Sequence, residues 1–252
     1  MIMVAEFQSE IARAMSRLVA TSEAIGESVV VSLPIMYPSG AFAGVSISLV
    51  AEGRCFLSDT AIGLREAEMA GVADFYDSAA KHLAEHFGVG FDGASIFVAS
   101  ASLDRIAGAA AAVGNASTGA VARAIMKAAE YKERAKNNVL FDIVSEFFGR
   151  PNVERTIEIA GRDSVWPAHN VVSFHDRHQA VFEFVAAHTN SIANKYLMFS
   201  DLGKMESPPS LVSVVNSIDN LGSKGAMLSD VSNVIELKSA RPIYERYARK
   251  AA

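Results

Sequence analysis

The feature that most limits what this chain can fold into is the order of its patterned segments between Phe141 and Leu237. They read as helix, three strands, helix, strand, turn, strand, because apolar residues recur first at helical spacing and then at period two. In the third strand, Gln179 to Ala187, a lone carboxylate, Glu183, interrupts an otherwise apolar run. Two residues further on stands Val185, so the strand carries an acid with no neighbouring base. This pattern speaks to architecture more directly than to activity.

The flanking segments sharpen that architecture. A helix over Asn137 to Phe148 stops at Gly149-Arg150-Pro151. Val153 to Ala160 alternates as a strand, Gly161-Arg162-Asp163 turns, and Val165 to Phe174 returns. His175-Asp176-Arg177-His178 forms a hairpin tip before the strand that ends at Ala187. Ser191 to Leu202 is a helix, Leu211 to Val215 a buried strand, and Asn233 to Leu237 a last strand. Lys238, Arg241, Arg246, Arg249 and Lys250 make the tail basic, as a solvated or partner-facing helix.

The first half opens with helical spacing over Glu6 to Ile25, closed by Gly26. Val29 to Leu33, stopped by Pro34, then Phe42 to Val50 and Arg54 to Leu57 make an antiparallel meander of three strands. Its turns are Tyr37-Pro38-Ser39-Gly40 and Glu52-Gly53. Ser58-Asp59-Thr60 can cap a helix over Gly63 to Ala70. A helix over Asp74 to Phe87 ends at Gly88, and Ile96 to Ala99 is a short strand. Ser102 to Arg134 reads as one long helix or two collinear ones, with Gly114-Asn115 and Gly119 as the break. The fold class is α+β: an antiparallel meander with helices over residues 1–135 and a mixed-sheet α/β domain over 136–252.

Composition narrows the function classes. The 252 residues suit one large or two small domains. A net charge of −5 argues against a broad basic surface for nucleic acid and favours a protein partner, leaving only a local basic patch as a route to nucleic acid. One cysteine, Cys55, precludes an internal disulfide. Glu6, Glu10 and Arg13 interrupt any leader-like apolar stretch, so the expected location is cytoplasmic. No run approaches the ~18 apolar residues of a membrane span. The alanine- and glycine-rich stretch from Leu103 to Val121 permits close helix approach, compatible with a homodimer and equally with packing inside one chain.

Glu183 raises a specific chemistry. Metal-dependent phosphodiester cleavage needs two carboxylates on a divalent cation and a lysine that orients water. The strand before Glu183 offers His169 and Asn170 but no aspartate; Asp163 precedes it and Asp176 follows it. Lys195, on the next helix, can stand in for the missing lysine. On that reading Glu183, Asp163 and Lys195 are catalytic, and Glu183, His169 and Asp176 hold magnesium or manganese. On the other, Glu183 is a structural strand carboxylate and no cofactor is expected. His175 and His178, with His188 nearby, have a chelating spacing but no second pair. His82 and His86 are four apart, with Leu83 where a zinc protease needs glutamate. Ser58-Asp59 with Gly63 and Glu66 forms either a small polar site or a helix cap. Gly88-Val89-Gly90-Phe91-Asp92-Gly93 follows a helix instead of opening one, so it is no dinucleotide loop.

Leu33-Pro34, Tyr37-Pro38-Ser39-Gly40, Phe56-Leu57-Ser58-Asp59, Glu66-Ala67, Ala70-Gly71-Val72, Phe87-Gly88-Val89 and Phe91-Asp92 together resemble the domain of unknown function numbered eighteen twenty-eight. The resemblance covers about residues 27–100 and departs from the commoner motif at Thr60-Ala61, where a glycine is usual. That family occurs in bacteria and on mobile elements, and the resemblance implies no activity. The second half resembles the restriction-endonuclease-like core in topology, without its catalytic set, so only Glu183 carries over. These resemblances imply a non-catalytic binding or regulatory protein, encoded by a phage or mobile element and acting through a protein partner. The alternative is a divergent metal-dependent nuclease. A weaker third reading is a small-molecule binder using the concave sheet of the first domain.

Overall fold

The computed structural model describes residues 20–248 except 26, 27, 52, 176 and 177. It is an α+β chain with one antiparallel and one mixed sheet. It divides into two compact units, within residues 1–129 and 130–252. No helix among the described residues is long and apolar enough to cross a membrane.

Unit 1 is built on a six-stranded antiparallel sheet of order β1-β2-β3-β4-β6-β5. Its strands are β1 (Ala20–Ile25), β2 (Ser28–Met36), β3 (Phe42–Ala51), β4 (Arg54–Ser58), β5 (Gly90–Phe91) and β6 (Ile96–Ser102). The first four form a meander, one strand longer than the sequence pattern predicts. Ala20–Ile25, expected as the end of a helix, is a strand, because it pairs in register with Ser28 to Ser32. The rest of that expected helix lies outside the described residues. Pro34 does not stop β2 either. It falls between the paired residues Ser32 and Met36, where the register against β3 shifts, so its missing N–H interrupts no regular ladder.

Between β4 and β6 come α1 (Ile62–Met69) and α2 (Ala73–Phe87). Gly88, in the left-handed conformation at φ 65°, closes α2 by donating to Ala84 and Glu85 carbonyls. Leu33, Val45, Leu57 and Ile96 of the sheet pack with Tyr76, Ala79 and Ala80 of α2, and with Val113, Ala116 and Ala120 of the next helix.

That helix, α3 (Ile106–Phe148), runs 43 residues without the expected break, and absorbs the separately expected helix from Asn137. The division between the units falls inside it. Gly114 and Gly119 are close approaches and not interruptions. A Cβ at Gly114 would lie 2.5 Å from Leu33 Cδ1, and one at Gly119 would lie 3.2 Å from Leu83 Cδ1. The side chains of Asn115 and Thr118 donate back to the carbonyls of Ala111 and Gly114 within the helix, at 2.9 Å each. Gly114 and Gly119 of the alanine- and glycine-rich stretch are thus packed within unit 1, while Ala107 and Gly108 are exposed.

Unit 2 carries a five-stranded mixed sheet of order β11-β10-β9-β8-β7. β7 (Val153–Ala160), β8 (Val165–Ser173) and β9 (Gln179–Phe184) form an antiparallel meander. α4 (Thr189–Leu202) crosses over to β10 (Ser210–Val215), parallel to β9. A short helix the sequence pattern did not show, α5 (Lys224–Ser229), leads to β11 (Asn233–Glu236), parallel to β10, and α6 (Arg241–Ala248) follows.

The central strand β9 is buried on both faces, which is why it reads as apolar throughout. Ala180, Phe182 and Phe184 face Leu140, Phe141 and Val144 of α3 and Tyr244 of α6. Val181, on the opposite face, packs with Met198, Phe199 and Leu202 of α4. Period two then puts Glu183 on the α4 face. Phe182 anchors the other side, its ring 5.7 Å from both Phe148 and Tyr244. Phe182→Ala removes that ring from a fully buried position. It should cost about 3–5 kcal/mol in urea denaturation of the whole chain, whereas Ala substitution of the exposed Leu197 on α4 should cost well under half of that.

Candidate functional site

The polar centre of unit 2 gathers around Glu183, which is fully buried. The β8–β9 ladder ends with the pair Asn170–Phe182. Beyond it, the Glu183 carboxylate takes the place of a backbone partner: Oε1 accepts the main-chain N–H of His169. Oε2 contacts His169 Nδ1 at 2.8 Å and accepts from Lys195 Nζ at 2.6 Å. Lys195 reaches it from the second turn of α4, on the helix face that covers the sheet. Burial pushes the Glu183 pKa up, but the Lys195 charge and the His169 hydrogen bond together outweigh it. The carboxyl therefore sits below the usual carboxylate range. His169 alone of the three opens to solvent, its side chain 28% exposed.

The structure therefore joins three of the residues singled out from sequence: Glu183, Lys195 and His169. It places Asp163 elsewhere, exposed in the β7–β8 turn and 3.8 Å from Arg162. Asp176 lies outside the described residues. Opposite the Glu183 pair, on the α3 face, Asn170 donates to Asn137 and to the Phe182 carbonyl, while Asn137 Oδ1 accepts the Phe184 N–H at 3.0 Å. Beside the centre, on edge strand β7, exposed Thr156 holds a left-handed φ of 53°, a local strain of the kind that gathers at functional sites.

As a magnesium or manganese site this donor set fits poorly. Those cations take several oxygen ligands. Here one carboxylate is present, and an ammonium already occupies the oxygen it shares with His169. Among the described residues no three His, Cys, Asp or Glu side chains are placed to share a metal ion. The other histidines have separate duties. His178 Nε2 contacts Ser210 Oγ at 2.9 Å and the Ala248 carbonyl at 3.2 Å. His188 caps α4 by accepting the Ser191 N–H through Nδ1 at 3.2 Å, and its Nε2 lies 3.8 Å from Glu133. His82 and His86 are exposed on α2.

Unit 1 holds a second polar centre at the Ser58-Asp59 segment. Asp59 is fully buried; the residue at the cap position of α1 is Ala61, which has no side-chain cap bond, and Asp59 meets the first turn from two residues further back. Its carboxylate accepts from the main-chain N–H groups of Ala61, Gly63 and Ile96 and, at 2.6 Å, from the Ser117 hydroxyl of α3. Ser117 Oγ in turn meets Tyr37 Oη at 2.7 Å. Burial, with Asp59's charge adding, pushes the Tyr37 hydroxyl up to about 12, and the same causes raise Tyr76. Neither phenol serves as a base near neutral pH. Left-handed Thr60 and Ala61 (φ 49° and 59°) bend the chain around the carboxylate. A Cβ at Gly63 would stand 2.5 Å from both Ser117 Oγ and Tyr76 Oη. Buried Glu66 accepts from Ser39 Oγ at 2.6 Å. This closed network fastens the β2–β3 turn, the β4–α1 loop, β6 and α3.

A third carboxylate, Asp201 near the end of α4, went unremarked in the sequence. It accepts from the Asp163 and Ser164 N–H groups and from Trp166 Nε1, at 2.7 Å, pinning the β7–β8 turn. The Trp166 bond and those two amides hold its carboxyl below its ordinary range. Comparison of the chain with protein-family models, with curated proteins and with solved structures finds no match.

Breaking the Glu183–Lys195 pair from one side leaves an uncompensated buried charge. Glu183→Gln and Lys195→Met should each cost about 3–5 kcal/mol at neutral pH. The double variant should cost much less than their sum, as read by urea denaturation. The pH dependence follows from the lowered folded pKa. Above the ordinary value of 4.5 the carboxyl is ionised in both states, and its contribution to stability is complete. As pH falls below that value the unfolded chain takes up the proton first, and stability is lost until the folded pKa is passed. The stability of Glu183→Gln should therefore fall less steeply than wild type from about pH 5 downward.

Proposed function

We propose that unit 2 is a restriction-endonuclease-like scaffold whose strand carboxylate has become a structural ion pair, and that the chain acts as a non-catalytic binding or regulatory protein. The observation that carries this reading is the saturation of Glu183. Its two oxygens are met by an ammonium, an imidazole nitrogen and a main-chain N–H, with no second carboxylate in the group. The strand order and directions support the scaffold: a three-stranded antiparallel meander, a helical crossover and a parallel fourth strand. Scaffold alone does not fix function. The partner we assign is another protein, which suits the net charge of −5 better than duplex DNA does, and we place the protein in the cytoplasm of a bacterium, on a phage or mobile element.

One observation favours the alternative of a divergent metal-dependent nuclease: Lys195, from the following helix, meets Glu183 at 2.6 Å, where a strand lysine would otherwise stand. That reading requires a second oxygen ligand, and Asp163 is not in the group.

Wild-type protein incubated with single- and double-stranded DNA and RNA, in magnesium and in manganese, should leave every substrate intact. Affinity purification from a host extract should recover a stoichiometric protein partner. Metal-dependent cleavage by wild type that Lys195→Met abolishes, in a variant whose circular dichroism matches wild type, overturns the non-catalytic reading.

A further inference from the structure

Unit 1 has a concave feature separate from both polar centres. An open groove of about 810 Å³ lies where the Arg54 end of β4 and the last residues of β6 meet the start of α3. Val98 and Ala109 supply its apolar lining and pack against the core of the unit, and beside them exposed Gly108 leaves open space, since a Cβ there meets nothing within 4 Å.

The rim is polar and mostly cationic. Arg54 and Arg105 both line the opening, together with the hydroxyls of Ser100 and Ser102. Among the described residues neither guanidinium has an ion-pair or hydrogen-bond partner. Asp104 also lines the opening, the one acid among its lining residues. Two unpaired guanidiniums at one opening present planar donor forks that match phosphate oxygens in pairs. An apolar lining beside such forks suits a ligand with a flat apolar part and an anionic part, and the serine hydroxyls suit a sugar between them. The chain's net charge of −5 opposes a long polyanion and leaves a small one to be met locally.

We propose that this groove binds a nucleoside phosphate, its phosphate on Arg54 and Arg105 and its base over Val98, Gly108 and Ala109. The assignment is independent of the reading of unit 2.

The test is isothermal titration of the full chain with ADP, AMP, inorganic phosphate and a short single-stranded oligonucleotide. Wild type is compared with Arg54→Ala, Arg105→Ala and Gly108→Leu, each checked for folding by circular dichroism. ADP should bind saturably, and each arginine variant should weaken it by about tenfold or more, the loss of one charge-assisted hydrogen-bond pair. Gly108→Leu, whose Cβ enters open space and whose side chain occupies the groove, should remove the advantage of ADP over phosphate. Absence of saturable ADP binding overturns the proposal, as does binding unchanged in both arginine variants. Phosphate binding as tightly as ADP overturns the base assignment, and an oligonucleotide binding more tightly than ADP through the same arginines shows a nucleic-acid groove instead.

Discussion

A carboxylate with no solvent exposure at the centre of a five-stranded sheet stays ionised only if its surroundings replace the water it has lost. In unit 2 that replacement is Lys195 and His169, and much of the local structure follows from it. The crossover helix α4 must run so that its second turn sits over β9, because Lys195 reaches Glu183 from there. The β8–β9 ladder must stop at Asn170–Phe182, because the next amide is taken by the Glu183 side chain. Lys195 and His169 both turn a nitrogen to this buried carboxylate. An ion pair of this kind adds little net stability over an apolar substitute, but losing either half is costly. It therefore fixes the position of α4 more than it strengthens the fold.

Unit 1 solves the same problem differently. Asp59 is equally buried, but its donors are three amides and a hydroxyl, with no cation among them. Meeting the carboxylate with neutral dipoles from three chain segments makes the loop after β4 a fastening point for the unit. The cost appears in the backbone, in the consecutive left-handed residues Thr60 and Ala61. Both units thus organise around one carboxylate, and in both the carboxylate is enclosed.

The sequence disclosed the elements well where local pattern decides them. The meander over Phe42 to Leu57, the helix to Phe87 with its Gly88 cap, and the strand–helix–strand run from Gln179 to Val215 all stand close to where periodicity puts them. It disclosed least where distant contacts decide. Ala20–Ile25 has helical spacing but pairs with β2. Gly114 and Gly119 look like breaks, yet they accommodate Leu33 and Leu83 against an unbroken helix. Glu183, Lys195 and His169 were each legible as residues of interest, and the grouping of Lys195 with Glu183 was legible as a substitution for a missing strand lysine. Ser117, Asn137 and Asp201 were not, because a serine, an asparagine or an aspartate in a helix has no local signature of the strand or turn it will bind across 30 or more residues.

The most direct measurement is a manganese titration of the isotopically labelled full chain, followed by the nuclear magnetic resonance signals of the His169 ring and the Glu183 side chain. A carboxylate held as a closed ion pair predicts that sub-stoichiometric manganese leaves those signals no more broadened than signals elsewhere in the protein. Selective broadening at His169 and Glu183 that disappears in Glu183→Gln would show a metal seated between them, and would contradict the structural role assigned to the pair.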